Sequence, residues 1–280
     1  MRVLVTGGQG FTGRYLADAL VAAGHEPSAF AADVTDRAAV EAAVDAARPD
    51  AVIHLAASAF VHSDDVVGFY AINQIGTFHL LDALARTAPG VPVLLASSAT
   101  IYGNAASGYL TEDAPCAPAN HYAASKLAME IGARLWADRF PIVTVRPFNY
   151  TGRGQDERYL IAKIVAHFRR RDAVIELGNL DVARDFGDVR AVVQAYVGLI
   201  EQRTGGVYNV CTGAVHSIRD IIAMCQAITG HAIEVRVNPA FVRANDVALL
   251  AGNPARLRAA LPQWQVPTMH DTLAWMLEPA

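Results

Sequence analysis

Two side chains, Tyr122 and Lys126, stand four residues apart in the run Tyr-Ala-Ala-Ser-Lys. On a helix that spacing puts both on one face, within reach of a common ligand. An ammonium beside a phenol stabilises the phenolate, so the sequence predicts that Lys126 lowers the pKa of Tyr122. A phenol tuned in this way can give a proton to, or take one from, a ligand oxygen near neutral pH. Alone, the pair is also what a solvated helix surface produces by chance. Ser98 adds a third group. It follows an apolar run ending near Ala96, and ligands gather at the carboxyl ends of parallel strands. Its hydroxyl can bind the oxygen that Tyr122 protonates.

These groups need a scaffold, and the first third of the chain supplies its rhythm. Short β-branched runs at 2–6, 51–56 and 91–96 alternate with helical patterns at 14–23 and 77–86. Later runs at 142–146 and 207–210 read as strands of the same sheet. Such alternation predicts an α/β fold, a doubly wound parallel sheet with helices on both faces. Gly7, Gly10 and Gly13 open the first helix directly after the first strand. Small residues there let backbone N–H groups approach a pyrophosphate, which the helix N-terminus favours, so a dinucleotide is expected. The second strand must lie within 27–31, and Asp33 is the nearest carboxylate. Asp33 either grips the adenosine portion or caps the helix starting near Arg37. NADH and NADPH are both left open.

Composition bounds the rest. The 280 residues are 53% hydrophobic and 18% charged, enough for a large core and against disorder. A net charge of −4 carries no basic excess of the kind nucleic-acid binders show. Cys116, Cys211 and Cys225 form neither a disulfide framework nor a metal pair, and no His pair has metal-ligand spacing, so reduced thiols and no metal are expected. No apolar run is long enough for a membrane span, and the chain reads as soluble and cytoplasmic. The run Phe168-Arg169-Arg170-Arg171 reads as a solvated helix end.

The combination Gly7-x-x-Gly10-x-x-Gly13, His54-Leu55-Ala56-Ala57, Asn73, Ser97-Ser98-Ala99-Thr100-Ile101-Tyr102-Gly103, Tyr122-x-x-x-Lys126 and Arg146-Pro147-Phe148-Asn149 resembles the extended short-chain dehydrogenase/reductase family over nearly the whole chain. The resemblance implies a Rossmann-type domain (1–148 and 186–212) interleaved with a smaller C-terminal α/β nucleotide-sugar domain (149–185 and 213–280). It implies Ser98, Tyr122 and Lys126 as the catalytic triad. Phe11, Thr12, Val34, Leu55, Ala56, Ala57, Asn73 and Pro147 join the glycines, Asp33, Tyr122 and Lys126 as contacts of NADH or NADPH. Asn149 is implied near the substrate, and a homodimer is implied through helices that include the one carrying Tyr122.

Distal segments narrow the substrate. Leu177-Gly178-Asn179-Leu180-Asp181, Arg184-Asp185-Phe186-Gly187-Asp188-Val189 and Arg243-x-x-Asp246-Val247 resemble the branch of GDP-mannose dehydratases and GDP-4-keto-6-deoxymannose reductases. That resemblance assigns Arg184 and Arg243 to the diphosphate of a GDP-linked keto-sugar, a task suited to guanidinium forks. Dehydratases of the family carry an acid and a base just after the catalytic hydroxyl. Here those positions are Ala99 and Thr100, and neither can take a proton from carbon. Reduction of a 4-keto group is therefore expected. A UDP-sugar 4-epimerase holding NAD is the competing enzyme, and an inactive NAD(P)-sensing scaffold the competing non-enzyme.

Overall fold

The computed structural model describes residues 1–58, 65–104, 108–241 and 249–279. Strands β1 (Arg2–Thr6), β2 (Glu26–Ala29), β3 (Ala51–His54), β4 (Val93–Ala96), β6 (Ile142–Pro147) and β10 (Gly206–Val210) form one sheet, ordered β10-β6-β4-β3-β1-β2. Every pairing in it is parallel. The strands read as continuous apolar runs because both faces are covered. Val3, Val5, Ile53, Leu94, Val143 and Val145 pack toward helices α1 (Phe11–Ala22) and α7 (Val189–Glu201). Leu4, Val52, Val93 and Leu95 pack toward α2 (Arg37–Ala47), α4 (Thr77–Thr87) and α5 (His121–Ala133). Alternation along each strand thus feeds two cores.

Only one strand lies outside β1. The edge strand β2 begins at Glu26, slightly before the expected window, and carries Pro27, which an edge tolerates. The chain then turns directly into α2. Asp36, not Asp33, caps that helix, accepting from the N–H groups of Ala38 (3.0 Å) and Ala39 (3.1 Å). The capping alternative for Asp33 is thereby removed, because a residue three positions earlier cannot reach those orphan donors.

A second unit is built from β5 (Gly108–Leu110), β7 (Asn149–Thr151), β9 (Ala183–Asp188), β11 (Val215–Ser217) and β13 (Leu249–Gly252), ordered β11-β9-β13-β5 with β7 also on β9. A small ribbon pairs β8 (Val174–Leu177) with β12 (Glu234–Val237). Helices α6 (Leu160–Arg170), α8 (Ile218–Thr229) and α10 (Met269–Leu277) enclose its apolar core; α3 (Val66–Tyr70) and α9 (Ala255–Ala260) are short connectors. The expected boundaries need correction here. Position 186 falls inside β9, which belongs wholly to the second sheet, and β5 joins that sheet from within the expected dinucleotide segment. Strand pairing across the chain, invisible to local patterning, decides both. Phe168 is also core, whereas Arg170 pairs outward with Glu157 (2.9 Å), so only part of the basic run is solvated.

Candidate active site

A cleft of about 500 Å³ opens where β1, β3, β4 and β6 end. Gly7, Gly10, Phe11, Thr12, Gly13, Leu55, Ala56, Ala57, Ser98, Tyr122, Lys126, Pro147 and Asn149 all line it. The chain therefore gathers residues 140 positions apart on one surface.

Its cofactor half is set by close backbone approach. Gly7 has φ 69°, and a Cβ there would lie 2.8 Å from the Ala56 nitrogen. A Cβ on Gly13 would lie 2.5 Å from the Gly7 carbonyl oxygen, so the turn and α1 touch only because both residues are glycine. No side chain caps α1, which leaves its first N–H groups beside the cleft. The hydroxyl of Ser97, also in the cleft wall, is buried without a hydrogen-bond partner. Together these features fit a dinucleotide, with the pyrophosphate at α1 and a polar headgroup near β4.

The floor is held by a directed relay. Thr77 Oγ1 donates to the Asn73 carbonyl (2.8 Å), so its oxygen must accept from His54 Nε2 (2.9 Å). His54 Nδ1 is then the acceptor for Thr6 Oγ1 (2.7 Å), which itself accepts from the Ala56 N–H (3.1 Å). Complete burial, reinforced by the Lys126 charge, pushes the His54 pKa down to about 3, which keeps this tautomer neutral. Asn73 does not reach the cleft wall. Its amide bonds Ser125 Oγ (2.9 Å) and the Ser58 N–H (2.9 Å), tying α5 to the loop after β3. Through these bonds it positions both elements.

Ser98 caps the turn 99–102 beyond β4. Its oxygen accepts from the Thr100 N–H (3.2 Å) and from Thr100 Oγ1 (2.9 Å). A hydroxyl has two acceptor positions and one proton, so Ser98 is left to act as a donor. Asn120 caps α5 by accepting from the Ala123 N–H (2.8 Å), which starts the helix one residue before Tyr122. His121 faces out, 3.1 Å from the Tyr70 hydroxyl. Lys126 Nζ donates to the Ala96 carbonyl (2.7 Å), locking the helix to the end of β4.

Electrostatically, burial wins over pairing. It raises the Tyr122 pKa to about 12, against the hydrogen bond from Ser98, with Tyr150 and Tyr159 reinforcing the rise. It also lowers Lys126 to about 8, against the charge of Glu130. The expected lowering of Tyr122 by Lys126 is thus corrected. Desolvation leads both shifts, and it disfavours the phenolate and the ammonium alike. Tyr122 is held protonated, as a proton donor should be.

Other expected residues lie apart. Asp33 is exposed, its Oδ1 accepting from Thr35 N (2.9 Å) and Thr35 Oγ1 (2.8 Å). Val34 is buried, its carbonyl accepting from His79 Nδ1 (3.1 Å). Arg184 is half-buried on β9, in register with His216 and Leu250, and does not line the cleft. Arg243, with Asp246 and Val247, lies outside the described residues. Sequence reasoning missed Tyr150, Gln155 and Tyr159, which line the cleft. Tyr150 bonds Thr12 Oγ1 (2.8 Å) and so ties the glycine turn to the second unit. Its place immediately after Asn149 was the available signal.

Residues 3–211 match the NAD dependent epimerase/dehydratase family. The chain belongs to that family. Among curated relatives, GDP-6-deoxy-D-talose 4-dehydrogenase of Aggregatibacter actinomycetemcomitans is 36% identical, over 92% of this chain and 90% of its own length. GDP-6-deoxy-D-mannose reductase of Pseudomonas aeruginosa is 34% identical, over 99% and 92%. The solved structure of RMD from Pseudomonas aeruginosa complexed with NADPH is similar with TM-score 0.90 and 32% identity, covering 99% of this chain and 97% of that one. Thermus thermophilus UDP-glucose 4-epimerase complexed with NAD is similar with TM-score 0.85 and 29% identity, covering 99% and 98%. A nicotinamide dinucleotide is the cofactor of the family, and nucleotide sugars are its substrates.

Proposed function

We propose that this enzyme reduces the 4-keto group of a GDP-linked 4-keto-6-deoxy sugar, hexose or heptose, with NADH or NADPH. The observation that carries the reading is the composition around Ser98. Ala99 and Thr100 provide no carbon-acid base, and Thr100 is spent on Ser98 itself. Hydride transfer with a single proton donation is the chemistry that needs nothing more. The reduced nicotinamide, when bound, supplies the hydride. Tyr122, kept protonated by burial, donates its proton to the emerging alkoxide. Ser98 donates a hydrogen bond to the same oxygen and stabilises its growing charge. Lys126, fixed to the Ala96 carbonyl in the same cleft wall as Tyr122, is assigned to the cofactor ribose. Asn149, Tyr150, Gln155 and Tyr159, which line the cleft, are assigned to the sugar. The GDP preference rests on the two GDP-sugar relatives and on the Leu177–Asp181 and Arg184–Val189 segments, with Arg184 and Arg243 assigned to the diphosphate.

The same reading has the enzyme act in the cytoplasm, in polysaccharide biosynthesis, as a homodimer. Ile131 (54% exposed) on α5 and Leu135 (81%) just beyond it give that helix an apolar outer surface.

A 4-epimerase reading is favoured by the UDP-glucose 4-epimerase relatives, one of them 27% identical over 93% of the chain. Oxidation of NADH and NADPH is measured with a panel of GDP- and UDP-linked 4-keto sugars. Stoichiometric consumption with a GDP-keto sugar supports the reductase. Interconversion of unoxidised UDP-hexoses without net reduction, by protein that retains NAD through purification, overturns it.

A further inference from the structure

We infer that Tyr150 is a positioning residue for the dinucleotide: a phenol of the second unit that holds the glycine turn of the first in the pose that receives the pyrophosphate. The inference rests on the cofactor of the family and is independent of the sugar proposed above.

The turn carries few anchors of its own. One backbone bond, from the Gly10 N–H to the Gly7 carbonyl (3.0 Å), closes it, and no side chain caps the helix that follows. Gly8 and Gly10 add backbone freedom that must be removed before a ligand can be gripped. The side chains that open α1 are held from outside instead. The Thr12 and Tyr150 hydroxyls are hydrogen bonded at 2.8 Å. The Tyr150 ring stacks on Phe11, with 6.3 Å between centroids and 17° between planes. Tyr150 is fixed in turn by the second unit. Strand β7 pairs it with Gly187 of β9, and Gln155 Nε2 donates to its carbonyl (3.2 Å).

Two further bonds join α1 to the same segment. The Tyr15 hydroxyl donates to the Arg153 carbonyl (2.7 Å), and the Arg14 guanidinium to the Gly154 carbonyl (3.5 Å). Of these three ties, the Thr12–Tyr150 bond alone has both partners in the cleft wall. It is also the one nearest the start of the helix, where the pyrophosphate is received. A turn preset in the bound pose spares the dinucleotide the cost of ordering it. When the bond is lost, the competent fraction of the free protein falls, and the apparent affinity falls with it. One neutral hydrogen bond sets the ceiling of that effect at about tenfold.

Equilibrium binding tests this without turnover, so a failed ketoreductase assay leaves the result readable. NADH is titrated by nicotinamide fluorescence. ADP, which keeps the pyrophosphate but lacks the nicotinamide, is measured by its displacement of NADH. Tyr150→Phe keeps the stacking ring and should weaken both ligands about three- to tenfold. Thr12→Val should do the same, whereas Thr12→Ser, which keeps the hydroxyl, should stay within about twofold of wild type. The double variant Thr12→Val/Tyr150→Phe should lose no more than the weaker-binding single. Trp264→Phe is the control for stability alone. It removes one bond outside the cleft wall, Nε1 to the Ala191 carbonyl (2.8 Å), and should lower the melting midpoint with both affinities unchanged. Binding by Tyr150→Phe as tight as wild type overturns the inference. So do additive losses in the double variant, or a loss of affinity in Trp264→Phe equal to that in Tyr150→Phe.

Discussion

Behind the catalytic helix lies a charge pair whose removal has a calculable consequence. Glu130, one turn beyond Lys126 on α5, receives two hydrogen bonds from Arg146 of β6, Nε to Oε1 at 3.0 Å and the terminal nitrogen to Oε2 at 2.7 Å. The remaining guanidinium nitrogen donates to the Tyr102 hydroxyl (3.0 Å) and the Glu112 carbonyl (2.8 Å). Arg146 is 3% exposed and Glu130 2%. In Arg146→Met the aliphatic volume is largely kept, but four bonds vanish and Glu130 is left charged, or forced to protonate, in a dry core. Stranding one member of a buried pair costs about 3–5 kcal/mol. Tyr102 still donates to Asn209 (2.7 Å), whereas the Glu112 carbonyl loses its Arg146 donor, which favours the upper end of that range. At roughly 2–4 °C per kcal/mol for a chain of this size, the midpoint should fall on the order of 10 °C. Urea unfolding followed by circular dichroism gives the free energy, and Glu130→Leu/Arg146→Met completes the cycle. The double variant should regain most of the loss, because two desolvated charges are replaced together. A single-variant loss below about 1 kcal/mol, or a double-variant loss equal to the sum of the singles, would refute the reasoning.

Tyr122→Phe should lower turnover about 10²–10⁴-fold with cofactor affinity unchanged in fluorescence titration, since only the donated proton is lost; an NAD(P) sensor would be indifferent. Thr100→Val frees an acceptor position on Ser98 and should cost about tenfold in kcat, with Thr100→Ser close to wild type. Equal activity of the Val and wild-type proteins would show that the Ser98 rotor needs no such lock. The folded pKa of His54, about 3, lies below its unfolded value of about 6.5. Between those values the unfolded chain binds the extra proton, so His54 contributes stability above pH 6.5 that is lost as pH falls toward 3. His54→Asn should cost about 1–3 kcal/mol at neutral pH and flatten the acid limb of stability against pH; an unchanged limb would assign it to other groups.

Local chemistry in the sequence determined the strand–turn–helix opening, the parallel sheet and the Ser98, Tyr122 and Lys126 constellation. Strand alternation, glycine contacts and helical spacing act over a few residues, and the sequence displays them directly. Burial belongs to the tertiary structure, and it reversed the expected direction for Tyr122 because desolvation depends on how completely the folded chain covers the phenol, with Tyr150 and Tyr159 adding to the rise. Strand pairing likewise moved β5 and the end of β9 into the second sheet, and the competition between Asp33 and Asp36 for one set of helix N–H groups was decided by a geometry that spacing alone left open. The donor state of Ser98 also emerged only when Thr100 was seen to fill both of its acceptor positions. A sequence states which groups are present; what each can donate, accept or ionise depends on the neighbours that folding supplies.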